Sequence, residues 1–260
     1  MNSFIDDTGY ERFLGNIDAP LAGLWPVYGD GGPVRTPMIP RDQWKPCSME
    51  SFLSPVHDQD GIGLCNPAAT TCGMEACRNL QGLPPVKLSA GYMYGRINGG
   101  RDRGSLLEES LRDAMSHGTC TVETVPYLNW RNRPAAAAEE AKRYRVLEAW
   151  LCPTFDHLAS ALQCGFFVIE GLMWRDNFKV DGDGWLPTRG SGGAGGHAVL
   201  GYGLAERGGV WGARTRNSWS AQWGANGNCV IPETLFGTQV GGMWAVRAMV
   251  DEGGQVPVLN

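Results

Sequence analysis

Cys65 stands where a thiol can do chemistry. It closes the loop Gln59-Asp60-Gly61-Ile62-Gly63-Leu64 and is followed by Asn66-Pro67-Ala68-Ala69. The two glycines permit a tight turn, Pro67 suits a first helical turn because its missing N–H would be unpaired there anyway, and the alanines propagate a helix. A thiol at that end faces the positive pole of the helix, which favours thiolate over thiol and makes a nucleophile. A lone cysteine is more often a small buried hydrophobe, so the position gains meaning only with a base beside it.

Four histidines could supply that base: His57, His117, His157 and His197. His57 lies just before the loop, His117 falls in the last turn of a helix where a cation suits the dipole, and His157 sits inside a surface helix. His197 follows Gly192-Gly193-Ala194-Gly195-Gly196 and opens a strand, which sets an imidazole on rigid backbone behind a permissive loop.

The elements that must position these groups fall into two halves. The Cys65 helix is expected to run to about Leu80, stopped by Gly82-Leu83-Pro84-Pro85. Leu88–Tyr94 reads as a short helix and Ser105–His117 as an amphipathic one, with Leu106, Leu107, Leu111, Ala114 and Met115 inward and Gly118 closing it. Pro134–Trp150 is rich in Ala, Glu, Lys and Arg, and its charges read as a solvated face. A last helix is expected over Thr154–Cys164, capped by Thr154 and stopped by Gly165. Strands are expected at Phe166–Ile169, Ala198–Tyr202, Val210–Arg216, Asn228–Ile231 and Met243–Val250. Helices followed by strands give an α+β class, in which a cleft between lobes is a natural site.

Composition bounds the function. A chain of 260 residues with 43% hydrophobic residues can fill one substantial core or two lobes. A net charge of −5, a sequence pI near 5.4 and no basic cluster with interleaved aromatics speak against nucleic-acid binding. No membrane span is suggested, and the acidic opening Met1-Asn2-Ser3-Phe4-Ile5-Asp6-Asp7 is unlike a signal peptide. The eight cysteines show no CxxC or other metal-site pairing and are expected to be mostly reduced, in a cytoplasmic setting or within a virus particle or other assembly. No metal or cofactor is called for.

The residues together resemble the papain-like cysteine peptidases, the family of papain and the cathepsins, from about Ile39 to about Val250. Gln59 stands six positions before Cys65, as that family's oxyanion glutamine does, and Glu75 falls where its central helix carries a glutamate. His197-Ala198-Val199 with Gly201-Tyr202-Gly203 resembles its histidine strand. Asn217-Ser218-Trp219 with Trp223-Gly224 and Asn226-Gly227 resembles its asparagine segment. His197 and Asn217 lie 132 and 152 positions after Cys65, against roughly 130 to 150 in the family.

The resemblance implies a two-lobed papain-like fold, with a helical lobe over about 61–150, a strand-rich, β-barrel-like lobe over about 151–260 and the active-site cleft between them. It implies peptide or protein substrates and a cysteine, histidine and asparagine site. Cys65 would be the nucleophile, His197 the base, Asn217 its orienting partner and Gln59 an oxyanion donor. Trp219 would shield the His197–Asn217 bond and, with Gly196, border the substrate. The family's glycine pair that binds substrate backbone has two candidates: Gly99-Gly100 looks right as a motif, while Gly104-Ser105 fits better by distance to Gly118 and is preferred.

There are departures as well. Ile62 replaces the family's usual disulfide cysteine, which suits a reducing compartment, and Asn66 replaces an aromatic and alters the cleft floor. Two other readings stay open: a catalytically silent papain-fold structural or interaction protein, for which Asn66, Leu64 and the N-terminal arm speak, and another acyl transferase on the same fold, although the latter more often uses Asp as third member.

Residues 1–38 hold four prolines and the run Gly29-Asp30-Gly31-Gly32 and read as an extended N-terminal arm. With Leu24, Trp25 and Tyr28 it could fill the cleft, or brace the strand-rich lobe and offer a contact to a protein partner. The brace is the expectation, because prolines lower the cost of docking those aromatics.

Overall fold

The computed structural model describes residues 2–6, 8–21, 24–30, 36–247 and 249. Two strands, β1 (Asn2–Ile5) and β2 (Glu11–Leu14), open the chain as an antiparallel hairpin. The sequence reading missed this hairpin. The short apolar pairs Phe4-Ile5 and Phe13-Leu14 flank a turn that Asp6 builds: its Oδ1 accepts from Thr8 N at 2.9 Å, Thr8 Oγ1 at 2.6 Å and Tyr10 N at 3.0 Å. An Asp side chain that satisfies the backbone of its own turn supplies the punctuation a hairpin needs.

After β3 (Cys47–Ser48) comes α1 (Cys65–Leu80), with the bounds the sequence predicts. Every residue from Cys65 to Arg78 is buried. The small residues Ala68, Ala69, Thr70, Thr71 and Gly73 allow this, since other elements approach from all sides; a β-carbon on Gly73 would stand 3.1 Å from Leu200 Cδ1. A helix buried all round carries the core rather than a solvated stripe.

Two further helices pack on α1: α2 (Ala90–Ile97) and α3 (Leu107–Ser116). The expected Leu88–Tyr94 helix is shifted because Ser89 is its cap, accepting from Tyr92 N at 3.1 Å. Ser105 and Leu106 lie before α3 rather than in it. Within the Ala-rich stretch only α4 (Ala135–Ala141) is helical, and β4 (Ala149–Leu151) follows. α5 (Phe155–Gln163) has Thr154 at its N-cap position, but that hydroxyl bonds His157 Nδ1 at 2.7 Å instead of the helix backbone.

The second lobe is a sheet of seven strands among the described residues, ordered β4-β9-β5-β6-β7-β8 with β3 also on β6, every pair antiparallel. These are β5 (Phe167–Arg175), β6 (Ala194–Arg207), β7 (Val210–Arg216), β8 (Asn228–Pro232) and β9 (Gln239–Val246). The sequence underestimates β5 and β6, since polar Glu170 and the glycines of β6 break the apolar runs on which a strand reading depends. The last expected strand begins earlier, at Gln239, and the tail end of that expectation, Ala248 and Val250, lies outside the described residues. The core fills the space between α1, α5 and the sheet. No helix among the described residues is long and apolar enough to cross a membrane.

Candidate active site

Cys65 is the first residue of α1 and is wholly buried. Burial pushes its thiol up to about 11, although the backbone N–H groups of Ala198, Gly15, Asn66 and Cys65 itself offset part of that. The expected lowering by the helix end is therefore overturned in this arrangement: desolvation of a thiolate outweighs the dipole. All eight cysteines are free.

His197 lies in β6 next to Ala198, whose backbone N–H is among the groups that favour the Cys65 thiolate. Its Nε2 stands 2.8 Å from Asn217 Oδ1, which also accepts from Ser218 N at 2.8 Å. An oxygen that receives one N–H presents an acceptor to the ring, so Nε2 carries the proton and Nδ1 the lone pair. Nδ1 is buried and has no hydrogen-bond partner among the described residues. Trp219 stacks on the imidazole at 4.3 Å and 25°, and Trp174 meets it edge-on at 5.2 Å. Burial in that aromatic box drives the imidazole down to about 4; the Asn217 bond opposes the shift and the Arg12 charge adds to it.

A short antiparallel contact brings Gln59 beside Asn217. Gln59 N donates to Ser218 O at 2.9 Å and Ser220 N to His57 O at 3.1 Å. Gln59 Oε1 accepts from Ser218 Oγ at 2.7 Å, which turns Nε2 toward the carbonyls of Ile62 at 2.9 Å and Phe13 at 3.1 Å. His57 is buried against Glu75 at 3.0 Å and edge-on to Tyr127 at 4.6 Å. His117 pairs with Asp113 at 3.2 Å, and His157 with Thr154 at 2.7 Å.

Phe13, whose carbonyl meets Gln59 Nε2, belongs to the arm. Residues 13–17 lie through the cleft, against the expectation that the arm only braces. Ser105 N donates to Gly15 O at 2.8 Å, Ile17 N to Ser105 O at 2.9 Å and Asn16 N to Gly196 O at 3.0 Å. Gly104 lies against Gly15 as well, and its φ of +78° suits only glycine. Gly99 and Gly100 have no neighbour at their β-positions and take no part. The brace exists too, further along: Tyr28 N donates to Leu151 O at 2.8 Å, its ring meets Phe166 at 5.4 Å, and Trp25 meets Trp244 at 5.9 Å. The arm fills the cleft because its first segment can present a backbone strand to both walls. The sequence reading weighed only its prolines and aromatics.

Above the cleft the hairpin lies on Trp219. Phe4 is 5.3 Å from its ring, and Arg12 reaches it at 5.9 Å while pairing with Asp6 at 2.7 Å. Burial raises the Asp6 carboxyl, but the bonds from Thr8, Arg12 and Tyr10 outweigh it and hold the group below its ordinary value. Trp219 is thus covered by the arm and by His197 rather than open to a substrate. Sequence reasoning passed over Gly15, Asn16 and Arg12, since no chemistry-bearing pattern surrounds them; the Gly15-Asn16 pair reads simply as a turn signal.

No protein-family model matches the chain, and no curated protein matches it in sequence. Solved structures do. The fold is that of the two-lobed papain-like cysteine proteases. Xylellain, a cysteine protease from Xylella fastidiosa, superposes with a TM-score of 0.66 at 18% identity, over 88% of this chain and 99% of that one. Procathepsin L 3 of the Tenebrio molitor larval midgut gives 0.66 at 16% identity over 90% of this chain and 74% of that one. Procathepsin B S9 from Trypanosoma congolense gives 0.68 at 14% identity over 90% and 85% respectively.

Proposed function

We propose that the chain is a cysteine peptidase that cleaves peptide bonds through an acyl-enzyme and is held idle by its own residues 13–17. The observation that carries this reading is the His197 ring, pinned through Nε2 to Asn217, with an Nδ1 lone pair that has no partner among the described residues, next to Ala198, whose backbone N–H favours the Cys65 thiolate. With a substrate in place of the arm, the Cys65 proton passes to Nδ1 and the sulfur attacks the scissile carbonyl carbon. The carbonyl oxygen, now an oxyanion, is held by Gln59 Nε2 and the Cys65 N–H. A backbone carbonyl already sits on Gln59 Nε2, that of Phe13. The tetrahedral intermediate collapses as the imidazolium returns its proton to the departing amine, and water, deprotonated by His197, releases the acid and regenerates the thiol. Trp219 keeps bulk water from the His197–Asn217 bond.

Peptides or proteins are the substrates this reading implies, and a reducing compartment suits eight free thiols. The test compares labelling by a thiol-directed peptide electrophile, and hydrolysis of a mixed peptide pool, in the wild type, Gly15→Ala and Gly15→Ala with Cys65→Ala. Labelling and hydrolysis should rise in Gly15→Ala and vanish without Cys65. An opened protein that labels at Cys65 yet hydrolyses nothing would overturn the peptidase in favour of a silent fold.

A further inference from the structure

Asn16 is bound at both ends of its side-chain amide and occupies a recess beside Cys65. Asn66 Nδ2 lies 2.7 Å from Ser105 O, 3.2 Å from Ser105 Oγ and 3.2 Å from Asn16 Oδ1, and Asn16 Nδ2 lies 2.7 Å from Val240 O. The carbonyls of Ser105 and Val240 can only accept, so they fix the orientation of both amides. The recess therefore offers one donor, Asn66 Nδ2, and one acceptor, Val240 O, spaced for a primary carboxamide. Asn66 is fully buried and Asn16 is 6% exposed, so water does not compete for either contact.

The room for this group comes from missing side chains. A β-carbon on Gly171 would stand 2.9 Å from Asn16 Nδ2, and one on Gly241 would stand 3.1 Å from Asn16 Oδ1. Ser105 holds the backbone on either side of Asn16 and Gly196 accepts from the Asn16 N–H; these are the residues that would hold a substrate strand. A carboxylate in the recess would set oxygen against Val240 O, and an aliphatic group would leave that carbonyl unpaired.

We propose that this recess is a selectivity pocket for asparagine in the substrate, with Asn16 as its intramolecular occupant and Asn66 as its reading residue. The proposal rests on the peptidase reading and names its substrate class: peptides with an asparagine at the position whose backbone meets Ser105 and Gly196. An unpaired buried carbonyl in the mismatched complex sets the discrimination at about 10- to 100-fold.

The test titrates full-length Gly15→Ala protein, and full-length Asn16→Asp as a second opened form, with synthetic decapeptides spanning residues 11–20. These carry Asn, Asp or Leu at position 16, and binding is read by isothermal titration calorimetry. The Asn peptide should bind about 10- to 100-fold more tightly than the other two, and Asn66→Leu in the same background should erase the difference. Equal affinities for Asn and Leu, tighter binding of Leu, or binding by none of the three would overturn the pocket. Binding heat needs no turnover. Asparagine-selective binding without hydrolysis of any peptide would thus sink the peptidase alone, while hydrolysis indifferent to the residue would sink the pocket alone.

Discussion

Gly15 lies so close to Gly63 that a β-carbon on Gly15 would overlap the Gly63 carbonyl oxygen. Both are backbone contacts, so neither side can swing away as a flexible side chain would. Gly15→Ala should therefore expel residues 13–17 from the cleft while the two lobes stay folded. The expected outcome is a rise of about tenfold or more in the rate at which Cys65 is alkylated, for a clash worth about 1–3 kcal/mol. An unchanged rate in a folded variant would show that the arm tolerates the methyl group.

Closure should also weaken in acid. With the arm in place His197 is held down to about 4 against an ordinary 6.5. The closed arrangement keeps its full advantage above pH 6.5 and loses it as pH falls toward 4, because the opened protein takes up the proton first. Asp6 is held below 3.8, so the hairpin's ion pair lasts through that window. Cys65, pushed up to about 11, works at the other end and favours closure until pH rises past 9. Hydrogen exchange of the Asn16 and Ile17 amides should quicken from pH 6.5 to 4, after correction for intrinsic rates. Flat protection across that range would contradict the mechanism.

The hairpin depends on one buried pair. Arg12→Ala removes the guanidinium that bonds Asp6 at 2.7 Å and covers Trp219. A charged hydrogen bond of this kind contributes about 2 kcal/mol, and its loss should fall on the hairpin rather than on the sheet. Proteolysis after residues 8–12 should become faster with the midpoint of global unfolding little changed. A large drop in that midpoint would mean the hairpin is part of the core.

A different prediction concerns Glu170, fully buried in β5 with no partner on either carboxylate oxygen among the described residues. Burial holds its carboxyl well above the ordinary 4.5, so the fold loses stability as pH rises from there. Glu170→Met keeps most of the volume and removes the charge. It should stabilise the protein by about 1–3 kcal/mol at pH 7 and flatten the pH dependence of urea unfolding above pH 5. A destabilised Met variant would point to a polar requirement at that position.

The parts of the fold that were legible in the sequence are those whose local signals agree with the tertiary structure. The α1 helix from Cys65 to Leu80 and the strand Val210–Arg216 match their expected bounds because Pro67, the following alanines and the turn residues Gly208 and Gly209 speak for the same ends. β6 was read short since Gly195, Gly196, Gly201 and Gly203 weaken a strand on propensity alone; in the sheet they admit Leu14, Asn16 and Cys47 at close range. The candidate site was legible from residue order, but its state was not. A thiol at a helix end reads as activated, and only the arm lying across it shows that desolvation wins. Asn66 could be seen as a departure, yet its meaning depends on Asn16, fifty positions earlier, and on a carbonyl of β9.

The cluster of Trp174, Trp219 and Trp223, with ring centroids 4.9 to 5.8 Å apart, gives the arm's position an optical consequence. Phe4 caps two of these indoles and Arg12 lies over one. While the hairpin is seated the cluster is dry and next to a guanidinium; once it lifts, water meets Trp219 directly. Opening of the cleft is thereby written into the emission wavelength of residues that belong to the site itself, and no attached dye is required to follow it.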